Sequence, residues 1–437
     1  MDARKDIDRA LAQIQQDELV ELTRTLIRIP SVVRADGSEH EGKVAAFVAE
    51  KLRALGFDRV ETMEVHPDRP NVIGVMEGNR PGKTILLEGH TDVVSEGDPD
   101  EWMDPPFAAV IKSNRIYGRG ACDTKNNLAS AMLAIAALRR AKIDFPGRVV
   151  LAVPVDEEGM MTGIKALIEA GHADGVDGAL ICEPEDNQLC ATQKGALRAI
   201  VTSQGKMSHG CMPLTGFNAT IPMARILLRL KEFEKTEIER LGYHRFLGFP
   251  SVTPTVVQSP AKGEGQLNVQ PKDCMAYLDI RTIPGQDHEE LKRSLSKIVA
   301  EVEAETRIDL EKGFEGKVRK TLAAHEKLPA GIAYAATIEF IEDRPWTETP
   351  VDDPIVRATA EAVRIITGKE PVYNGVPGAT DGTFLFARKQ IPILTTGSGD
   401  RMVPHQKDEW VSIDQLVETT RIYAATILLF LSGGEGR

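Results

Sequence analysis

Residues 83–94 read KTILLEGHTDVV, an apolar run followed by a glycine and two side chains able to bind a proton or a metal, His90 and Asp92. An apolar run without polar alternation fits a strand buried on both faces, as in a parallel sheet. Side chains just past its end leave the core and can converge on a site at the strand ends. Working outward, NVIGVME (71–77), RVVLAVPVDEE (148–158) and GALICEP (178–184) read as further buried strands. Between and before them, DELVELTRTLIRI (17–29), GKVAAFVAEKLRALGF (42–57) and NNLASAMLAIAALRRA (126–141) repeat apolar residues at helical spacing, and Gly56 supplies a C-terminal stop. The fold class expected is α/β: a mainly parallel sheet flanked by helices.

From Leu197 the pattern changes. LRAIVTSQG, ATIPMARILLRLKEFEK, SVTPTVVQS, CMAYLDIRT, HEELKRSLSKIVAEVEAET and ATIEFIED follow as strand, helix, strand, strand, helix and strand. That order, βαββαβ, is the ferredoxin-like unit. RPWTETPVDDP (344–354) reads as a linker, and PIVRATAEAVRIITG (354–368) resumes helix–strand alternation. The expectation is a catalytic domain over residues 1–196 and 346–437, interrupted by a smaller inserted domain over 197–345.

The 437 residues exceed one ordinary core, and the formal charge of −12 argues against a nucleic-acid partner, which would meet a basic face. The start of the chain lacks an uninterrupted apolar segment, and the C-terminal IYAATILLFLSGG falls short of a bilayer span, so neither a secretory leader nor a membrane anchor is expected. Five cysteines, Cys122, Cys182, Cys190, Cys211 and Cys274, form no CxxC pair and suit a reducing compartment, the cytoplasm. Each is expected to be a small buried residue.

Charged groups recur at the strand ends. GRGACDTK places Asp123 in a Gly-rich turn before a helix, PVDEEG places Glu157 and Glu158 after a strand, ICEPE does the same for Glu183, and VPHQKDEW carries His405. Any one acidic residue here could be a helix cap or a solvated loop charge. Together, two imidazoles and several carboxylates without a thiolate cluster suit a pair of hydrolytic divalent ions such as Zn²⁺, with Co²⁺ or Mn²⁺ as substitutes.

With HTDVV (90–94), GRGACDTK (118–125), DEEG (156–159), CEP (182–184), GKMSHG (205–210), LNVQP (267–271), LDIR (278–281), GATDG (378–382) and the late His405 in this order, the chain resembles the M20 metallopeptidases. That family includes acetylornithine deacetylase, succinyl-diaminopimelate desuccinylase, aminoacylase and glutamate carboxypeptidase. The resemblance implies a dinuclear site in which Asp123 bridges, His90 and Glu183 complete one site, and Glu158 and His405 the other. Asp92 would fix the His90 tautomer, and Glu157 would be the general base that takes a proton from water and returns it to the leaving amine. The inserted domain would be a lid and a dimerisation domain. Its His209 would stabilise the oxyanion, commonly from the opposite subunit of a homodimer, and Asn268 and Arg281 would lie near the substrate. Gly378, Thr380 and Asp381 would belong to a substrate loop, here GATDG where GGTD or GTSD is commoner. The activity implied is hydrolysis of an amide in a small carboxylate-bearing substrate, by preference an N-acyl amino acid. A C-terminal carboxypeptidase or dipeptidase, a phosphoesterase, and a binding protein that keeps the fold without the chemistry stand as alternatives.

Overall fold

The four strands that decide the architecture are mutually parallel and end at one level. In the computed structural model, which describes residues 3–312 and 334–433, Arg80–Glu88 pairs in parallel with Pro146–Val153 and with Gly178–Ile181, and the last pairs in parallel with Ile393–Thr395. Glu88 lies opposite Ala152 on one side and Ile181 on the other, and Ile181 opposite Thr395. The loops that leave these strands therefore start side by side.

The apolar runs are continuous because both faces of the sheet are covered. Successive strand side chains point to opposite faces. Ile85, Leu87, Val149, Leu151 and Leu180 pack into a core with Leu26, Val48, Leu133 and Ile427 from helices Gln16–Ile27, Gly42–Ala54, Lys125–Arg140 and Ile413–Leu431. Leu86, Val150, Ala152, Ala179 and Ile181 pack on the other side with Ile164 and Leu167 of helix Thr162–Glu169 and with Phe384 and Leu385 of helix Gly382–Lys389. Lys125–Arg140 is buried from Lys125 to Leu138; its stretch Leu128–Leu138 is apolar on every side except at Ser130, and Lys125, Asn126 and Asn127 are buried polar groups of its first turn.

Nine strands form this sheet, and the parallel pairing is concentrated at its centre. Arg59–His66 and Arg69–Glu77 extend one side antiparallel. On the other, Leu189–Gln193 meets Ile393–Thr395 and Thr347–Glu348 antiparallel and Tyr373–Val376 parallel. The stretch 344–354, expected to be a linker, thus contributes a two-residue edge strand, too short and too crowded by Pro345 and Pro350 to show a pattern. Helix Pro354–Thr367 starts as its sequence dictates: the Asp353 side chain accepts the Ile355 N–H, Pro354 occupies the first turn, and Gly368 closes the helix in the left-handed region at φ +69°.

The chain divides into two compact units, Met1–Gln193 with Thr347–Arg437, and Lys194–Trp346. Gln193 and Thr347 are direct partners in an antiparallel pair. In the second unit a fully antiparallel sheet runs in the order Ser251–Gln258, Asp273–Thr282, Gly195–Gln204, Ala335–Arg344. With helices Thr220–Leu241 and His288–Lys312 the chain order is βαββαβ. Strand alternation buries Cys274, Ala276, Leu278 and Ile280 on one face, against Met223, Ile226, Leu230, Leu291 and Leu295 of the helices. The edge strand Ser251–Gln258 is exposed from Thr253 onward and bulges between Pro254 and Val256.

All five cysteines are free thiols; four are buried and Cys211, in the loop after His209, is exposed, contrary to the expectation of burial. A turn after a two-residue strand has no core to enter. Among the described residues no helix is long and apolar enough to cross a membrane.

Candidate metal centre

Asp123 lies between the two histidines. One carboxylate oxygen, Oδ1, is 3.1 Å from His90 Nε2, and the other, Oδ2, is 3.2 Å from His405 Nε2. Glu183 Oε1 approaches His90 Nε2 to 3.6 Å, and Glu158 Oε1 approaches His405 Nε2 to 3.0 Å. Ligand atoms of His90, Asp123 and Glu158 all fall within 4.8 Å of one another. His90 and Glu183 each stand two residues past a central strand, so the in-register strand ends bring them together.

The His90 tautomer follows from its surroundings. Nδ1 faces the main-chain carbonyl of Asp92 at 3.0 Å. A carbonyl only accepts, so the neutral ring carries its proton on Nδ1 and turns the Nε2 lone pair toward Asp123 and Glu183. The sequence reading gave this task to the Asp92 carboxylate, whose Oδ1 stands farther off, at 3.5 Å. The carboxylate is engaged elsewhere: the Glu157 N–H donates to its Oδ1 at 3.1 Å and the Glu158 N–H to its Oδ2 at 2.9 Å. Two acceptors aimed at two successive amides fix the turn that carries both glutamates.

That turn is held from behind as well. Arg69 donates to both oxygens of the fully buried Glu41, at 2.6 and 2.7 Å, and to Asp156 Oδ1 at 3.2 Å, while the Asp156 N–H donates to Glu41. Asp156 is left-handed at φ +67°, and a Cβ on Gly159 would meet its Oδ1 at 2.4 Å. A side chain at 159 would therefore push the Asp156 carboxylate off its bonds to Arg69, Met160 and Thr162.

The electrostatics of the cluster call for positive charge. Burial, reinforced by Asp123, pushes the carboxyls of Glu158 and Glu183 up; burial also lifts Glu157 well above its ordinary value, with Glu158 and Asp123 adding to it against His90. Burial would pull His90 down, but Asp123, Asp92 and Glu183 override it and raise it well above the usual imidazole range. His405 is pushed to about 10 by its hydrogen bonds to Asp123 and Glu158. Glu183 Oε1 is buried without a hydrogen-bond partner among the described residues. Two imidazole nitrogens and converging carboxylate oxygens that bind protons this avidly match the donor set of paired divalent cations.

Gly378 and Thr380 precede helix Gly382–Lys389. The Thr380 N–H and hydroxyl both donate to Gln193 Oε1, at 3.2 and 3.0 Å, and a Cβ on Gly378 would meet nothing within 4 Å. His209, Asn268 and Arg281 belong to the second unit. Strand Ser208–His209 pairs with Val269–Gln270, and the Gly210 N–H donates to the Asn268 carbonyl, so His209 and Asn268 are neighbours. Arg281 is paired with Asp279, two residues earlier on its strand.

Glu41, Glu88, Arg119 and Glu409 escaped the sequence reading, and Asp381 was read only as part of the substrate loop. Glu88, the last residue of its buried strand, and Asp381 are both fully buried, and none of their carboxylate oxygens has a hydrogen-bond partner among the described residues. Burial raises both, Glu88 to about 7. Arg119 and Glu409 form a buried ion pair at 2.5 Å. A charge ending an apolar strand and an Arg inside a Gly-rich turn were the available signals.

A relative from Staphylococcus epidermidis described as a probable succinyl-diaminopimelate desuccinylase is 23% identical over 417 residues, covering 90% of this chain and 94% of that protein. The N-formyl-4-amino-5-aminomethyl-2-methylpyrimidine deformylase of Bacillus subtilis is 25% identical over 434 residues, covering 95% of each. Among solved structures, a dinuclear metal binding peptidase of the M20 family from Bacillus subtilis superposes with a TM-score of 0.66 at 17% identity, over 95% of this chain and 98% of that one. The sequence model of peptidase family M20/M25/M40 matches residues 86–429, most of the chain and every residue of the cluster around Asp123, and the protein belongs to that family.

Proposed function

We propose that this hydrolase cleaves the amide bond of a small carboxylate-bearing substrate, by preference an N-acyl amino acid, with two divalent ions held by His90, Asp123, Glu158, Glu183 and His405. The observation that carries the reading is the division of the two Asp123 oxygens between His90 and His405. Asp123 would be shared by both ions, with His90 and Glu183 on one side and Glu158 and His405 on the other. Bound there, Zn²⁺, Co²⁺ or Mn²⁺ would supply Lewis acidity toward the amide carbonyl and acidify a water.

The chain's own groups do the rest. Glu157 is buried and held by its main chain to Asp92, and burial gives its carboxyl the proton affinity needed to take a proton from water and pass it to the departing amine. Asp92 fixes that turn and, through its carbonyl, the His90 ring. The Cys211 N–H donates to His209 Nδ1 at 3.1 Å, which places the neutral ring's proton on Nε2 and makes it a donor suited to an oxyanion. Asn268, Arg281, Gly378 and Thr380 would orient the substrate. The second unit would act as lid and dimer interface, its edge strand with Val256 and Val257 offering a second copy apolar surface and backbone that is unpaired among the described residues. We place the reaction in the cytoplasm on the five free thiols.

A panel of N-acetyl, N-succinyl and N-formyl amino acids and of dipeptides, assayed with each metal, tests the reading. Turnover of N-acyl amino acids that stops on chelation and returns with metal supports it. Preference for peptides moves the chain to the carboxypeptidase or dipeptidase alternative, and full activity in metal-free protein overturns it.

A further inference from the structure

Glu409 is fully buried, and its two oxygens face different partners. Oε1 accepts the main-chain N–H groups of Cys122, at 2.7 Å, and Asp123, at 2.9 Å. Oε2 accepts from Arg119 Nη1 at 2.5 Å. Arg119 is also buried, and its two Nη groups donate to main-chain carbonyls: Gln406 at 3.1 Å, Ser95 at 3.2 Å and His405 at 3.4 Å. Its Cζ stands 5.1 Å from the centroid of the Trp102 ring. The backbone closes the same connection, since strand Arg115–Tyr117 pairs with Trp410–Ser412 and the Gly118 N–H donates to the Glu409 carbonyl at 2.8 Å.

The pair is poorly explained by stability alone. A buried ion pair gains little over apolar residues of the same volume, because desolvation offsets the attraction. Here the cost is increased by Arg119 Nε, buried without a hydrogen-bond partner among the described residues. What the pair does uniquely is geometric: one member grips the main chain at Asp123 and the other the main chain at His405.

We propose that Arg119 and Glu409 are positioning residues that set the spacing of Asp123 and His405 before any ion binds. The inference rests on the reading of Asp123 and His405 as metal ligands. Loss of Glu409 frees the ligand shared by both ions and weakens both; loss of the Arg119 fork frees His405 and weakens the ion on that side. Partners of this kind are worth ~10–100-fold in metal affinity.

The test is a Zn²⁺ titration of chelator-stripped protein against a chromophoric competitor, with circular dichroism to verify folding. The double variant Arg119→Met/Glu409→Leu removes both charges together, so leaves no unpaired ion in the core, and takes away the acceptor of the Asp123 N–H; Arg119→Lys keeps the charge opposite Glu409 and loses the planar fork. Wild-type protein is expected to bind two ions, the double variant to bind both ~10–100-fold more weakly, and Arg119→Lys to weaken one by a similar factor. Folded Arg119→Lys protein with two ions at wild-type affinity overturns the positioning role while leaving the metal centre intact, whether or not the double variant folds. Wild-type protein that binds no Zn²⁺ overturns the metal reading and this inference with it.

Discussion

Asp92 receives the main-chain N–H of Glu157 on one carboxylate oxygen and uses the other for the next residue, Glu158. A single side chain thus holds the proposed base and a proposed ligand in one turn, and the main-chain carbonyl of the same residue orients His90. Asp92→Ala should lower Zn²⁺ affinity ~10–100-fold and turnover with it. Asp92→Asn, which keeps one acceptor, should fall between. Competition titrations of the folded variants check this, and wild-type affinity in Asp92→Ala would remove the residue from the site.

Glu157→Gln separates base from ligand. The amide preserves shape and the main-chain bond to Asp92 but takes up no proton. Turnover should drop at least ~10²-fold, the lower end for a lost general base, with metal content unchanged. Elemental analysis alongside steady-state kinetics decides, and metal lost together with activity would reassign Glu157 as a ligand.

Glu88 gives the metal-free protein a pH dependence of known sign. Burial lifts its carboxyl from 4.5 to about 7, so the folded state holds a proton that the unfolded chain releases earlier. Its contribution to stability is complete below about 4.5 and is lost as the pH rises through about 7. Glu88→Gln removes this slope. Denaturant unfolding of chelated protein at pH 5 and pH 8, about the two ends of that window, should show the variant gaining on wild type as pH rises. A pH-independent difference would refute the assignment.

His209 offers a test of the shared site. His209→Ala should cost ~10²–10³ in turnover if its Nε2–H serves the oxyanion. Mixing inactive His209→Ala and Glu157→Gln subunits should restore activity, because a mixed dimer contains one site with both groups. Exchanged heterodimers that stay inactive would confine His209 to its own subunit.

Where the sequence was readable, it was because local pattern and environment coincided. Residues 85–87 are apolar in succession because helices cover both sheet faces, and the same run points to His90 just past its end. Asp123, Glu158, Glu183 and His405 could be picked out as charges in positions that a core does not need. Short edges were not readable: Thr347–Glu348 and Tyr373–Val376 take their strand character from neighbours distant in sequence. Glu41, Glu88 and the Arg119–Glu409 pair were missed for a related reason. Their burial is tertiary, and from the sequence each is an ordinary polar residue near a loop.

Gln193 and Thr347 face each other across one antiparallel pair, so the chain departs from the first unit and returns to it at adjacent points. Residues 194–346 thus leave and rejoin the first unit at a single strand pair. A tight turn in their place would close the gap at little entropic cost and leave the registers of the nine-stranded sheet as they are. The proposed ligands and base lie outside residues 194–346, whereas His209, the proposed oxyanion donor, lies within them, so excision is expected to spare metal binding while it removes that donor.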